Sequence, residues 1–522
     1  MTEQIEMHPQ RWGNPANASS LPESALGLIE LAFGVNEQPA VDGATPPAPV
    51  IGADAFAALA DVVGAEQVIV DDAIRALRTR GKSTPDLLKA RAGDLSDAPD
   101  VVVRPADRAE IERLLAVAVE HNLAVVPFGG GTSVTGGLVA ARAPYAGVVS
   151  PDSVRMKKLV AVDKESMTAT LEPGLRGPEA EALLAEQGLT LGHYPQSFEF
   201  ATIGGFAATR SSGQSSAGYG RFDALVVALT VVTPSGTITV GSAPANAAGP
   251  DLRQVFLGSE GALGVITEVT VRVRELPAVK VYVGWRWPSF DAGAAAMRTP
   301  AQAGMLPTVI RLSDEAETAI NPADPSAIGA ENPGCLMITG YEGTQSAVDA
   351  KRAAVTALLT ELGGTDLGEE PGEKWAHGRF NAPYLRDSML DVGVLVETLE
   401  TATFWSNRTR LYGDVKAALE TTLGEGTIVL CHISHVYETG CSLYFTVAAK
   451  ESGDPLTQWA AAKAAASDAM IAAGATITHH HAVGTDHKPW FHREVGPVGV
   501  QTLRAIKASL DPAGILNPGV LI

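Results

Sequence analysis

Three glycine-rich stretches and one run of histidines hold the residues of this sequence best suited to chemistry. The first stretch, PFGGGTSVTGG at 127–137, has five glycines in eleven residues. Without Cβ atoms such a backbone reaches left-handed angles and comes close to a ligand. Successive amides can then converge on a diphosphate without a lysine, and Thr132, Ser133 and Thr135 add hydroxyls. A Walker loop is excluded because no Lys-Ser/Thr follows, and the dinucleotide fingerprint fails because Val134 stands where its third glycine belongs. A purely structural turn is the competing reading. The second stretch, 199–225, places Gly204, Gly205, Gly213, Gly218 and Gly220 where the chain can wrap a flat ligand, with Ser211, Ser212, Ser215 and Ser216 as hydroxyl donors. The third, GSEGALGVIT at 258–267, feeds a strand that could offer main-chain groups to a heterocycle.

The histidines are His479, His480 and His481. One imidazole with a pKa near 6.5 is a natural proton carrier at neutral pH. On an extended chain alternate side chains point to opposite sides, so at most His479 and His481 are expected to share a face. A surface polar loop and a metal site joined by His432 and His435 are the alternatives. No carboxylate or thiolate ligand pattern accompanies them, and no metal is expected.

The elements that must position these residues follow from periodicity and turn signals. A strand at Val101–Val103, an amphipathic helix opening near Asp107, a second strand at 124–127 and the glycine loop form an α/β unit. Short strands then alternate with Gly- and Pro-rich turns to about residue 280, including two strands joined by TPSG within 224–250. Before this unit, residues 1–96 read as an arm with short helices. One of them carries Leu26, Ile29 and Phe33 on one face, and two more are expected within 52–64 and 71–81. After it come strands in TVIRLSD and CLMITGYEG, a helix in QSAVDAKRAAVTALLTELGG, a hairpin in TIVLCHISHVYETGCSLYFTVAA, an Ala-rich helix, and a last helix over about 499–510. The expected class is α+β, with domains at 1–96, 97–280, 281–477 and 478–522.

Composition narrows the function. Of 522 residues 46% are apolar and 19% charged, which permits a large core, and the net charge is −20. So acidic a chain is not expected to bind nucleic acid or an anionic membrane over a broad face. Any anion needs a pocket with local Arg, Lys or amides. Cys335, Cys431 and Cys441 lack a CxxC spacing, which excludes a disulfide scaffold and a thiolate zinc site. No signal-peptide pattern and no 18-residue apolar run is found, and a cytoplasmic, reducing environment is expected.

PFGGGTSVTGG, ATIGGFAATRSSG and GSEGALGVITEV, in this order, resemble the FAD-binding domain of vanillyl-alcohol oxidase-type flavoproteins, over about residues 97–280. The resemblance implies two subdomains clamping an extended FAD. Its contacts carry over onto Pro127, Gly129, Gly130, Gly131, Thr132, Ser133, Thr135, Gly136, Thr202, Gly204, Gly205, Thr209, Ser212, Gly213, Glu260, Gly261, Gly264, Val265 and Ile266. Many relatives attach the flavin through a histidine in the first loop; this loop has none, so non-covalent FAD is expected.

The rest of the chain is similar to the alkyldihydroxyacetonephosphate synthase family. The likeness lies in QRWGNP and LPESALGLIELAFGV at the front, IRLSD and YLRD in the middle, and YETGCSLYF, HHHAVGTDHKPW and LDPAGILNPGVLI at the back. That resemblance implies a substrate (cap) domain and an exchange of the acyl group of an acylated dihydroxyacetone phosphate for a fatty alcohol, without net redox change, giving an ether-lipid precursor. It implies catalytic roles for Tyr444 and for His479, His480 and His481, and binding of the anionic substrate by Arg386 and Arg311. Bidentate Arg contacts suit a phosphate held in an acidic protein. Arg386 could instead pair with Asp387 or Asp391, and Tyr444 could be a core strand residue. The chain departs from the family at Tyr194 and Gln196, where acidic residues are usual, and at Ala482, where glycine is common. The alternative function is therefore an FAD-dependent oxidoreductase acting on a 2-hydroxyacid or alcohol. Expected partners are a small-molecule or lipid substrate and no nucleic acid; a transient membrane contact and a homodimer are left open.

Overall fold

The computed structural model describes residues 5–18, 20–21, 23–37, 39–139, 141–320 and 334–522; the stretch 321–333 of the expected substrate domain lies outside them. The α/β unit forms as its pattern predicts. Asp107 caps the helix Arg108–Glu120 by accepting from the Glu110 amide, and Ile111, Leu114, Leu115 and Ala118 bury one face at helical spacing. That helix covers a four-stranded sheet in the order Val68–Ile69, Val101–Val103, Gly147–Pro151, Leu123–Val125. Its three long strands are parallel and their residues wholly buried, as a sheet covered on both faces requires.

Residues N-terminal to this unit are not separate from it. Val68 and Ile69 pair with Val103 and Val102, and Leu59 and Val63 of the helix Ala53–Val63 share its core. A helix unforeseen in the sequence, Thr84–Arg91, starts at a reciprocal cap between Ser83 and Asp86. The next subdomain is an antiparallel sheet ordered Leu159–Asp163, Thr168–Leu171, Val265–Arg272, Val226–Thr233, Gly236–Val240. The second glycine-rich stretch contributes the short helix Ile203–Thr209, whose Ile203, Phe206 and Ala207 enter that subdomain's core.

The remaining chain builds a seven-stranded antiparallel sheet ordered Thr365–Gly368, Val279–Trp287, Cys335–Gly343, Val309–Ser313, Ile428–Ile433, Gly440–Lys450, Val394–Phe404. The expected hairpin is its pair Ile428–Ile433 and Gly440–Lys450. Helices Phe290–Gln302, Gln345–Glu361, Arg408–Leu423 and Pro455–Ala472 cover one face, burying Trp285, Trp287, Phe445 and Trp459. Alternate residues of the last three strands look the other way, so one pleat divides core from site. The final helical stretch, Lys488–Leu510, is two helices meeting at a kink: Gly496 has non-helical backbone angles (φ 71°, ψ 172°) and Pro497 follows, so the second helix begins close to the expected residue 499 and the first was not foreseen. Among the described residues no helix is long and apolar enough to cross a membrane.

Candidate active site

One cavity of about 720 Å³ runs from the three glycine-rich stretches to the open face of the seven-stranded sheet, a volume suited to a large ligand. All the flavin-site residues expected from the sequence line it except Thr135 and Gly136. Those two are turned toward the histidine segment. The Thr135 hydroxyl donates to the His481 carbonyl at 3.1 Å, and the Thr135 carbonyl accepts from the amides of Thr485 and Asp486.

Besides lining the cavity, the glycines let backbone approach backbone. A Cβ on Gly130 would lie 2.1 Å from the Phe200 carbonyl oxygen, and one on Gly204 2.6 Å from Pro173 Cβ. Gly130 lets the first two stretches touch each other, and Gly204 lets the second settle against Pro173 outside both, so the cradle exists because these loops meet. The C-terminal residues lock it. The Val125 amide donates to the Ile515 carbonyl and its carbonyl accepts from the Asn517 amide, while the buried Asn517 side-chain amide donates to the carbonyls of Gly137 (3.0 Å) and Glu260 (2.6 Å). Serine and threonine hydroxyls, free glycine amides and the strand start at Val265 and Ile266 suit a diphosphate, a polyol and a flat ring in turn. The residues present fit FAD.

The other end of the cavity rests on alternate residues of three neighbouring strands: Leu430 and His432, Tyr444 and Thr446, Val396 and Thr398. Tyr444 is enclosed, its ring stacked on His432 at 4.8 Å, and burial pushes its phenol up to about 12. It is therefore a protonated donor near neutrality. Arg311 and Arg386 also line the cavity. Arg386 pairs with Asp387 at 3.2 Å and donates to the Lys82 carbonyl at 2.7 Å, so it both pairs with a neighbour and faces the cavity. Arg311 donates to Glu317 (2.5 Å) and to His432 Nε2 (3.1 Å), while His432 Nδ1 meets the other Glu317 oxygen at 3.1 Å. Burial opposes the Glu317 charge, but His432 and Arg311 outweigh it and bring the acid down to about 2.

The histidine run is not extended, and this corrects the face assignment. Residues 479–481 wrap around one carboxylate, so His480 and His481 line the cavity and His479 lies behind them. His479 stacks on His435 at 4.9 Å and meets the Tyr437 hydroxyl at 2.5 Å through Nε2. Burial pushes His479 and His435 well below the ordinary imidazole range and His481 down to about 3, so these three are neutral. Further along, Glu260 accepts from the amides of Val483 and Gly484 at 2.9–3.1 Å, and burial raises it to about 7. Ligand atoms of His435, His479 and His480 lie within 4.8 Å of one another, a spacing open to a metal ion. Four of the six ring nitrogens are already engaged, however: His435 Nδ1 with Ser212, His479 Nε2 with Tyr437, and His479 Nδ1 with His480 Nδ1, which leaves only His435 Nε2 and His480 Nε2 without a partner among the described residues. No metal is assigned.

Sequence reasoning missed several wall residues. Lys82 lines the cavity while its ammonium donates to the carbonyls of His8 (2.6 Å) and Pro9 (3.2 Å), and burial lowers it to about 8. No local pattern marks it. Glu317 and the apolar Leu385, Met389 and Leu430 were equally silent. The alternation 430, 432 and 444, 446 was the one usable signal, since a buried strand with polar residues on one face has something on that face to meet.

Comparison with known proteins agrees with this division. The family model "FAD binding domain" matches residues 99–242, and "FAD linked oxidases, C-terminal domain" matches 276–521. The alkyldihydroxyacetonephosphate synthase of Dictyostelium discoideum is 34% identical over 88% of this chain and 79% of its own length. The chain belongs to the alkyldihydroxyacetonephosphate synthase family. A solved structure of an alkyldihydroxyacetonephosphate synthase superposes with a TM-score of 0.84, at 30% identity, over 98% of both chains. The mitochondrial D-lactate dehydrogenase [cytochrome] of Arabidopsis thaliana is 30% identical over 81% of this chain and 73% of its own. In this synthase-family protein the cofactor is FAD.

Proposed function

We propose that this protein is an FAD-dependent alkyl transferase that exchanges the acyl group of acyl-dihydroxyacetone phosphate for a fatty alcohol. The observation that carries the reading is one continuous cavity. It joins a glycine cradle to Tyr444, two arginines and an apolar wall of Leu385, Met389, Val396 and Leu430. A phosphate needs the arginines and an acyl or alkyl chain needs the wall. In the reaction the ester oxygen leaves with the acyl group as a carboxylate. The alcohol oxygen takes its place on the three-carbon unit, and the alcohol proton is released.

Arg386 and Arg311 hold the phosphate. Tyr444 keeps its hydroxyl proton and orients the three-carbon unit. The histidines on the wall, His480 and His481, accept and return protons, with His479 supporting them from behind. Bound FAD supplies the electron-rich ring against which the three-carbon unit is activated. The first loop lacks a histidine, and we read the flavin as non-covalent; acid precipitation leaving the yellow colour in the supernatant tests this. We also read this as a cytoplasmic enzyme organised at about residues 96, 280 and 477. Light scattering tests for a homodimer and vesicle flotation for a transient membrane contact. The decisive experiment is incubation of the holoenzyme with acyl-dihydroxyacetone phosphate and a labelled fatty alcohol. Label in an ether supports the reading. Flavin bleaching by 2-hydroxyacids under anaerobic conditions, with no ether formed, replaces it with the oxidoreductase.

A further inference from the structure

The carboxylate at the centre of the histidine segment belongs to Glu400, on the strand Val394–Phe404. It is 1% exposed. It accepts from the amides of His479 (2.7 Å), His480 (3.1 Å) and His481 (3.0 Å) and from the Thr478 hydroxyl (2.5 Å). In register it sits opposite Tyr444, which in turn sits opposite His432. Only donors approach its oxygens, so it stays ionised. Burial opposes that charge, but the contact with His480 holds the acid well below the ordinary carboxylate range. Its one ion-pair contact among the described residues is His480 Nδ1, at 3.4 Å.

The same Nδ1 lies 3.0 Å from His479 Nδ1. Two ring nitrogens facing each other at this distance share one proton. If it sat on His479, the lone pair of His480 Nδ1 would point at a buried anion. On His480 it faces an acceptor and an anion together. His479 then accepts at Nδ1 and donates from Nε2 to the Tyr437 oxygen, 2.5 Å away. His480 Nε2 has no hydrogen-bond partner among the described residues, and the ring lines the cavity.

We propose that Glu400 is a positioning residue that fixes the tautomer of His480, holding the proton on Nδ1 and leaving Nε2 as the proton acceptor at the cavity wall. Its catalytic consequence rests on the alkyl-transfer reading; the tautomer itself does not. Glu400→Gln keeps the size but presents an amide N–H to His480 Nδ1, which favours the opposite tautomer. An imidazole locked in the wrong tautomer costs on the order of 10²–10⁴-fold in rate. E400Q should therefore lose about that much in kcat with KM changed less than about threefold.

The direct measurement is a two-bond ¹⁵N–¹H spectrum of the full-length, FAD-loaded protein labelled with ¹⁵N-histidine, with His480 assigned by the signal lost in H480N. Protonated Nδ1 and unprotonated Nε2 in the wild type, reversed in E400Q, is the expected result. A wild-type Nε2–H, or an E400Q protein with both wild-type tautomer and kcat, overturns the proposal. If E400Q does not fold, the wild-type spectrum still decides. If no ether is formed by the wild type, the reaction reading fails while the tautomer result stands by itself.

Discussion

A single methyl group added at Gly130 should weaken flavin binding through a contact that does not involve the flavin. The Cβ of Gly130→Ala would lie 2.1 Å from the Phe200 carbonyl oxygen, 2.8 Å from its carbon and 2.9 Å from Ala201 Cα. Non-bonded heavy atoms settle near about 3.5 Å, so the two loops must part by roughly 1 Å or more. All three obstacles are main chain, and no rotamer change relieves them. Overpacking of this kind costs about 1–3 kcal/mol. Both loops line the cavity, so we expect the opening to fall on the cradle and to weaken FAD by about 5- to 150-fold. Deflavinated wild type and G130A should be titrated with FAD by fluorescence quenching. Gly413→Ala serves as the control, because that exposed helical position has nothing within 4 Å of an added Cβ. If G130A binds FAD within twofold of the wild type, the loop-contact account of the cradle is wrong.

Further outcomes can be checked with standard assays. Glu260 has a folded pKa of about 7, above its ordinary 4.5, so its contribution to stability is complete below pH 4.5 and is lost as pH rises through 7. That loss is about 3 kcal/mol for a shift of this size. Denaturant unfolding of Glu260→Gln should therefore gain on the wild type by up to that amount between pH 5 and 8, and a gap that does not move with pH would contradict the assignment. Tyr444→Phe removes a positioned hydrogen-bond donor and should lower turnover by about 100- to 1,000-fold while leaving flavin content and Tm near wild type; full activity would remove Tyr444 from the mechanism. Asn517→Ala abandons two buried carbonyls and should lower stability by about 1–3 kcal/mol per acceptor and shed flavin on gel filtration. Retained yellow colour and unchanged Tm would show that the terminal segment does not lock the cradle. Gly413→Ala itself should raise stability by about 0.5–1 kcal/mol, read as a higher denaturant midpoint.

The sequence by itself determined the local features. The helix Arg108–Glu120 follows from Asp107 and the spacing of Ile111, Leu114, Leu115 and Ala118. The hairpin of Ile428–Ile433 with Gly440–Lys450 follows from two apolar runs joined by the short link SHVYET. Glycine density marked the flavin site, because only residues without Cβ permit such backbone approach, and this can be read without knowing which chains approach. Tertiary structure alone decided what meets what. Gly130 packs on Phe200, Thr135 turns from the cofactor to the histidines, and His479 withdraws behind His480 because three consecutive amides close on Glu400. Glu400 and its amide partners are about eighty residues apart in the chain, and no local pattern links them. A buried charge must find its donors wherever the fold brings them, and that choice is made by packing between distant segments, which one-dimensional spacing does not record.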